Sequence, residues 1–135
     1  MSETVVLDSS AVLAFLLGEP ESDEVEHTFD EARTTGRQHL MTAVNWGEVL
    51  YVTARRLAHE DVLPIVSAFE RLPIAVVDAG RELALEAARL KHVHHIGFAD
   101  AFAAALAIAA DAPLLTKDAD FDSLEADGLT VRHLS

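Results

Sequence analysis

Five short apolar runs limit what this chain can fold into. They are Thr4 to Leu7, His39 to Thr42, Ile74 to Val77, Pro113 to Leu115 and Leu129 to Arg132. Each reads as a strand, and each is separated from the next by a stretch with helical spacing or a helical turn. Short strands that are apolar on both faces and alternate with helices are the pattern of a parallel sheet covered on both sides. In such sheets, sites form beyond the carboxyl ends of the strands, near the point where the strand order reverses.

The spacing predicts the helices as follows. Ala11 to Leu17 ends at Gly18, a glycine stop. Glu21 to Thr35 starts after Pro20, closes at Gly36, and carries only Val25, Phe29 and Ala32 as apolar points, so it is expected to lie exposed. Ala43 to Leu57 and Asp61 to Leu72 are amphipathic, the second with Pro64 in its first turn. Asp78 is expected to cap a helix from Ala79 to Lys91. His92 to Gly97 reads as a loop, Ala99 to Ala110 as a small-residue helix, and Phe121 to Leu124 as a helical turn. With 135 residues, half of them hydrophobic, and no repeat or linker, one domain spanning residues 1–135 is expected.

Composition removes several classes. Cysteine is absent, which excludes disulfides and Cys-based zinc sites and fits a cytoplasmic protein. The opening Met-Ser-Glu-Thr lacks a basic segment and a long apolar one, so no signal peptide is expected. The apolar stretch Ala101 to Ala110 is too short to span a bilayer, so no membrane association is expected. The net charge of −13 works against unassisted nucleic-acid binding and favours a basic partner or divalent cations. It is equally the charge of a soluble, acid-rich surface, since Glu19, Glu21, Asp23, Glu24 and Glu26 form one solvated run.

Four acids stand apart from that run. Asp8 ends the first strand, Glu48 lies in an apolar helix three residues after Asn45, Asp100 opens the alanine-rich helix, and Asp118 follows the fourth strand. Taken singly, each has a structural explanation: a turn or cap for Asp8, a rim position for Glu48, the helix dipole for Asp100, a helix cap for Asp118 or Asp120. Of these last two, one is expected to cap and Asp118 to reach the site. Taken together, carboxylates held near a core need compensating positive charge. With only two lysines in the chain, a metal ion is the candidate. Mg²⁺ and Mn²⁺ prefer such oxygen ligands, and a pair of ions can drive phosphodiester hydrolysis. Ser9 and Ser10 are candidate helix caps, with Ser10 alternatively orienting water. His92, His94 and His95 offer a competing zinc idea, but not with the spacing of a helical ligand pair.

The segments around these acids resemble a known family. Val6-Leu7-Asp8-Ser9-Ser10-Ala11, Asn45-Trp46-Gly47-Glu48-Val49, Ala99-Asp100-Ala101-Phe102 and Leu115-Thr116-Lys117-Asp118-Ala119-Asp120-Phe121 look like the four acidic motifs of PIN domains, in order and at matching spacing. The group they resemble most is the VapC-type toxins of prokaryotic toxin–antitoxin pairs. The resemblance implies a three-layer α/β/α fold with a central, mostly parallel sheet. It implies Mg²⁺- or Mn²⁺-dependent endoribonuclease activity on structured RNA such as transfer or ribosomal RNA. It makes Asp8 and Asp100 the principal metal ligands, with Glu48 and Asp118 completing the cluster. Ser10 and Thr116 become supporting hydroxyls and Asp120 an assisting acid. It further implies a homodimer and a small basic antitoxin covering the site. The scarcity of basic residues to grip RNA departs from this picture; Arg33, Arg37, Arg55, Arg56 and Lys117 are the candidates.

Three rivals stand beside this reading. A phosphomonoesterase of haloacid dehalogenase type would use Asp8 as nucleophile but wants Asp or Thr where Ser10 stands. A receiver-like domain would need a phospho-acceptor after the third strand, where Asp78 is expected to be a cap. A non-catalytic PIN-like binding module would not need the intact quartet.

Overall fold

The computed structural model describes residues 3–135; Met1 and Ser2, with which the expected domain begins, lie outside the described residues. Five strands form one sheet: β1 (Val6–Leu7), β2 (His39–Thr42), β3 (Ile74–Val77), β4 (Leu114–Thr116) and β5 (Val131–His133). Their order is β3-β2-β1-β4-β5, and every pairing is parallel. The helices are α1 (Ser9–Leu16), α2 (Ser22–Thr34), α3 (Ala43–Arg56), α4 (Leu63–Phe69), α5 (Arg81–Val93) and α6 (Phe98–Ala110), with a 3₁₀ helix at Ala119–Asp127. The expected α/β/α architecture is therefore present, with a sheet that is wholly parallel.

Successive strand residues point to opposite faces, which explains why the strands are apolar throughout. Val6 and Leu114 pack with Leu90 of α5 and the alanine row of α6. Val5, Leu7 and Leu115 pack on the other face, with Val12 of α1 and Val25 and Phe29 of α2. Small side chains along α6, from Ala101 to Ala107, let that helix lie close against the sheet. Leu50 and Ala54 of α3 form a third, smaller cluster with Ile65 of α4.

Three local expectations are corrected. The helix α2 is not an exposed one: Val25, Phe29 and Ala32 are fully buried, and the Phe29 ring meets Phe15 edge-on at 5.1 Å between centroids. Three apolar points on one face suffice, because burying a side chain the size of Phe29 contributes about 2–3 kcal/mol. Asp78 does not cap α5; the cap position is Gly80, without a side-chain bond. The helical turn after β4 extends to nine residues and ends at Gly128. The predicted stops at Gly18 and Gly36 hold, each at a left-handed φ that glycine adopts without strain.

Reading along the chain, strands are added from β1 outward to β3, and β4 then returns to the other side of β1. The order reverses between β1 and β4. Asp8 follows one of these strands and Asp118 the other. Among the described residues, no single helix is long and apolar enough to cross a membrane.

Candidate active site

At the reversal point the backbone sets the first contact. Leu7 is in register with Leu115, and the Asp8 amide donates to the Leu115 carbonyl at 3.1 Å. This brings Asp8 alongside Thr116. Asp8 is 2 % exposed. Its Oδ2 accepts from Ser10 Oγ at 2.7 Å and from Thr116 Oγ1 at 2.9 Å. Both hydroxyls thus spend their hydrogens on the carboxylate and receive backbone amides in return. Lys117 N donates to Ser10, and Asp118 N donates to Thr116. Ser10 is a buttress of Asp8 and not a helix cap; α1 has Asp8 at its cap position with no side-chain cap bond.

The other carboxylate oxygen is in a different state. Asp8 Oδ1 is buried and has no hydrogen-bond partner. Burial pushes the Asp8 carboxyl above the ordinary carboxylate range, against the lowering effect of the Ser10 and Thr116 bonds.

Asp100 lies in the first turn of α6, half-buried. Its pKa is pushed up to about 7, first by burial and then by the charges of Asp8, Asp118, Glu48 and Asp120. The five acids therefore share one mouth, and the largest charges acting on Asp100 are all acidic. Gly97 caps this helix, and a Cβ there would come within 3.3 Å of Asp100 Oδ2. Asp118 both caps and faces the site: its Oδ1 accepts from Asp120 N at 2.8 Å, starting the 3₁₀ helix. The expected division of labour between Asp118 and Asp120 is thus corrected, since the cap is Asp118 itself. Asp120 is exposed.

Lys117 is the basic side chain next in sequence to the site, and it is engaged elsewhere, by Glu19 at 2.9 Å and Glu21 at 3.2 Å. Of the arginines named for RNA, Arg33 bonds Asp30 and the Arg71 carbonyl. The histidine group is dispersed: His94 pairs with Asp127 at 2.6 Å while His92 and His95 are exposed.

Sequence reasoning passed over Asn45 as a site residue. It is fully buried and bonds Ser9 and the Ala99 carbonyl. An asparagine among Val44, Val49 and Val52 on a core-facing helix was the available signal.

A divalent cation is tested by the donor set. The side chains are hard oxygen donors, one buried carboxylate oxygen lacks any partner, and the largest charges on Asp100 are all negative. The residues fit such an ion in chemistry. They are not gathered into a finished cage: among the described residues, no three His, Asp or Glu side chains stand close enough together to hold an ion.

The PIN domain family model matches residues 5–126. This chain belongs to the PIN-domain family. Among curated proteins, no sequence matches this PIN domain. Solved structures do resemble it in fold. A toxin–antitoxin complex from Klebsiella pneumoniae aligns with a TM-score of 0.73 at 16% identity, covering 98% of both chains. VapBC2 from Rickettsia felis, bound to a DNA fragment from its promoter, aligns at 0.76 and 14% identity over 98% of this chain and 100% of that one. Mycobacterium tuberculosis VapC20, described as a sarcin–ricin loop cleaving toxin, aligns at 0.72 and 16% identity over 94% and 97%.

Proposed function

We propose that this PIN domain is a Mg²⁺- or Mn²⁺-dependent endoribonuclease acting as the toxin of a toxin–antitoxin pair. The observation that carries the reading is the state of Asp8: a buried carboxylate with one oxygen fully bonded and the other without a partner, beside an Asp100 whose carboxyl the neighbouring acids raise. The described neighbours, toxin–antitoxin complexes and a ribosomal-loop-cleaving toxin, support the choice of RNA and of an antitoxin.

In this reading Asp8 and Asp100 hold the ion, with Glu48 and Asp118 completing the set and Asp120 assisting. Asp118 would use Oδ2, since Oδ1 is committed to the Asp120 amide. When bound, the ion supplies Lewis-acid chemistry: it makes water more acidic and offsets charge on phosphate oxygens. The chain's own residues do the rest. Ser10 and Thr116 hold the Asp8 carboxylate in one rotamer and leave Oδ1 as its uncommitted acceptor. Asp100, with its pKa pushed up to about 7, carries a proton part of the time at pH 7, a proton it would have to release to serve as a ligand.

The net charge of −13 supports a small basic antitoxin covering the mouth, because opposite fields steer association. A homodimer and a cytoplasmic location complete the proposal. The haloacid dehalogenase alternative gains no support: Ser10, where that chemistry wants Asp or Thr, is bonded to Asp8, and Asp8 is nearly inaccessible to a substrate. Purified protein, freed of any co-purified antitoxin, should cleave structured RNA with Mn²⁺ or Mg²⁺ and stop on chelation. The Asp100→Asn variant should be inactive yet folded. Intact RNA in the wild-type reaction would leave the binding-module reading in its place.

A further inference from the structure

The acids in the mouth repel one another, so something must hold their supporting elements together. Asp8 precedes α1, Asp100 sits in the first turn of α6, and Glu48 is on α3, which packs on both. One side chain joins all three. Asn45 Nδ2 donates to Ser9 Oγ at 3.0 Å and to the Ala99 carbonyl at 3.1 Å. Ser9 adjoins Asp8 and Ala99 adjoins Asp100. The orientation of the amide is fixed by chemistry: a carbonyl only accepts, so the NH₂ must face Ala99, and Oδ1 receives the Thr42 hydroxyl. Asn45 N in turn donates to Thr42 Oγ1 at 3.0 Å, so the first turn of α3 is capped by the same pair. The amide has no polar atom without a partner, and the residue is 0% exposed.

We propose that Asn45 is the positioning residue of the acid site, holding the first turns of α1 and α6, and with them Asp8 and Asp100, at a set separation from Glu48. The proposal rests on the metal-site reading above and deepens it. Asn45 touches none of the reacting groups; it acts through the two peptide segments it ties. Loss of its donors leaves the Ala99 and Ser9 acceptors without their cross-link while every carboxylate remains.

The test is calorimetric titration of Mn²⁺ into wild type, Asn45→Ala and Val25→Ala. The last is a control destabilised by a cavity in α2, away from the amide. Groups that orient metal ligands typically change affinity by about 10–100-fold when removed. Asn45→Ala should raise the Mn²⁺ dissociation constant about tenfold or more, whereas Val25→Ala should melt earlier but bind as wild type. Equal affinity in folded wild type and Asn45→Ala would overturn the positioning role and leave the metal site standing. A wild type that does not bind Mn²⁺ would overturn both. Should Asn45→Ala not fold, Ser9→Ala removes one arm and keeps the α3 cap. It should still weaken Mn²⁺ binding severalfold, and unchanged binding there would overturn the proposal equally.

Discussion

Thr116 donates its hydroxyl hydrogen to Asp8 Oδ2 at 2.9 Å across 108 positions of sequence. The bond joins the ends of the two strands between which the sheet order reverses. Thr116→Val keeps the shape but strips a buried carboxylate of a donor and Asp118 N of its acceptor. Leaving such groups unpaired costs about 2–3 kcal/mol. Thr116→Ser retains the hydroxyl and should lose only about 1 kcal/mol, the value of one methyl group. Urea unfolding of the two variants checks this, and equal losses would show that the hydroxyl is not what matters.

Asp100 makes stability depend on pH in an unusual direction. Its carboxyl is pushed up to about 7 from 3.8, so between those values the folded chain holds a proton that the unfolded chain has released. Acidification through that window stabilises the fold, and stability is lost as pH rises toward and past 7. Asp100→Asn removes the titration. After allowing for solvent screening of a half-buried group, the variant should be about 1–2 kcal/mol more stable than wild type at pH 8 without metal. Below pH 4 the two should match. Thermal melts across pH give the comparison, and Mn²⁺ at about 100 times its dissociation constant should add about 2.7 kcal/mol to wild type alone.

His39 acts in the opposite sense. Its Nδ1 accepts from Val5 N at 3.1 Å, which requires Nε2 to carry the hydrogen toward the Thr28 carbonyl at 3.2 Å. Only the neutral ring can make both bonds. Burial holds its pKa below the usual 6.5. The unfolded chain therefore takes up a proton first as pH falls through 6.5, and stability declines on the acid side of that value. His39→Ala should remove this slope and leave the buried Val5 amide without its acceptor, a loss of about 1–3 kcal/mol at pH 8. Chemical denaturation at pH 8 and pH 5.5 separates the two effects.

Ala58 ends α3 in a conformation that glycine adopts elsewhere in this fold. Its φ is 56°, and the bonds Ala58 N to Arg55 O and His59 N to Ala54 O repeat those made at Gly18 and Gly36. A Cβ in that conformation is strained by about 1 kcal/mol. Ala58→Gly should raise stability by up to about 0.5 kcal/mol, the relief slightly exceeding the added freedom of the unfolded chain. A lower melting temperature would contradict this.

Much of this architecture could be read from the residues because strand and motif signals are local. Ile74 to Val77 is a strand with the predicted bounds, and the charges of Asp8, Glu48 and Asp118 all act on Asp100. What was misread depended on partners distant in sequence. The burial of α2 needs Phe15 to meet Phe29, and mean polarity along Ser22 to Thr34 hides it. Asp78 looked like a cap because caps are assigned by residue type, whereas the chain turns into α5 at Gly80. Asn45 was noticed only as a neighbour of Glu48, since its bonds to Ser9 and Ala99 span 36 and 54 positions.

The central place of β1 has a consequence during synthesis. One of its neighbours, β2, follows within some thirty residues, but the other, β4, emerges about a hundred residues later. Until then β1 presents an open edge, the kind of surface that recruits foreign strands. Pairings so distant in sequence also form slowly, because loop closure precedes any gain. A nascent or truncated chain ending before Leu114 therefore has neither its second β1 partner nor the Thr116 hydroxyl on Asp8. Whatever chemistry the acids perform is withheld until β4 has been made and has paired with β1.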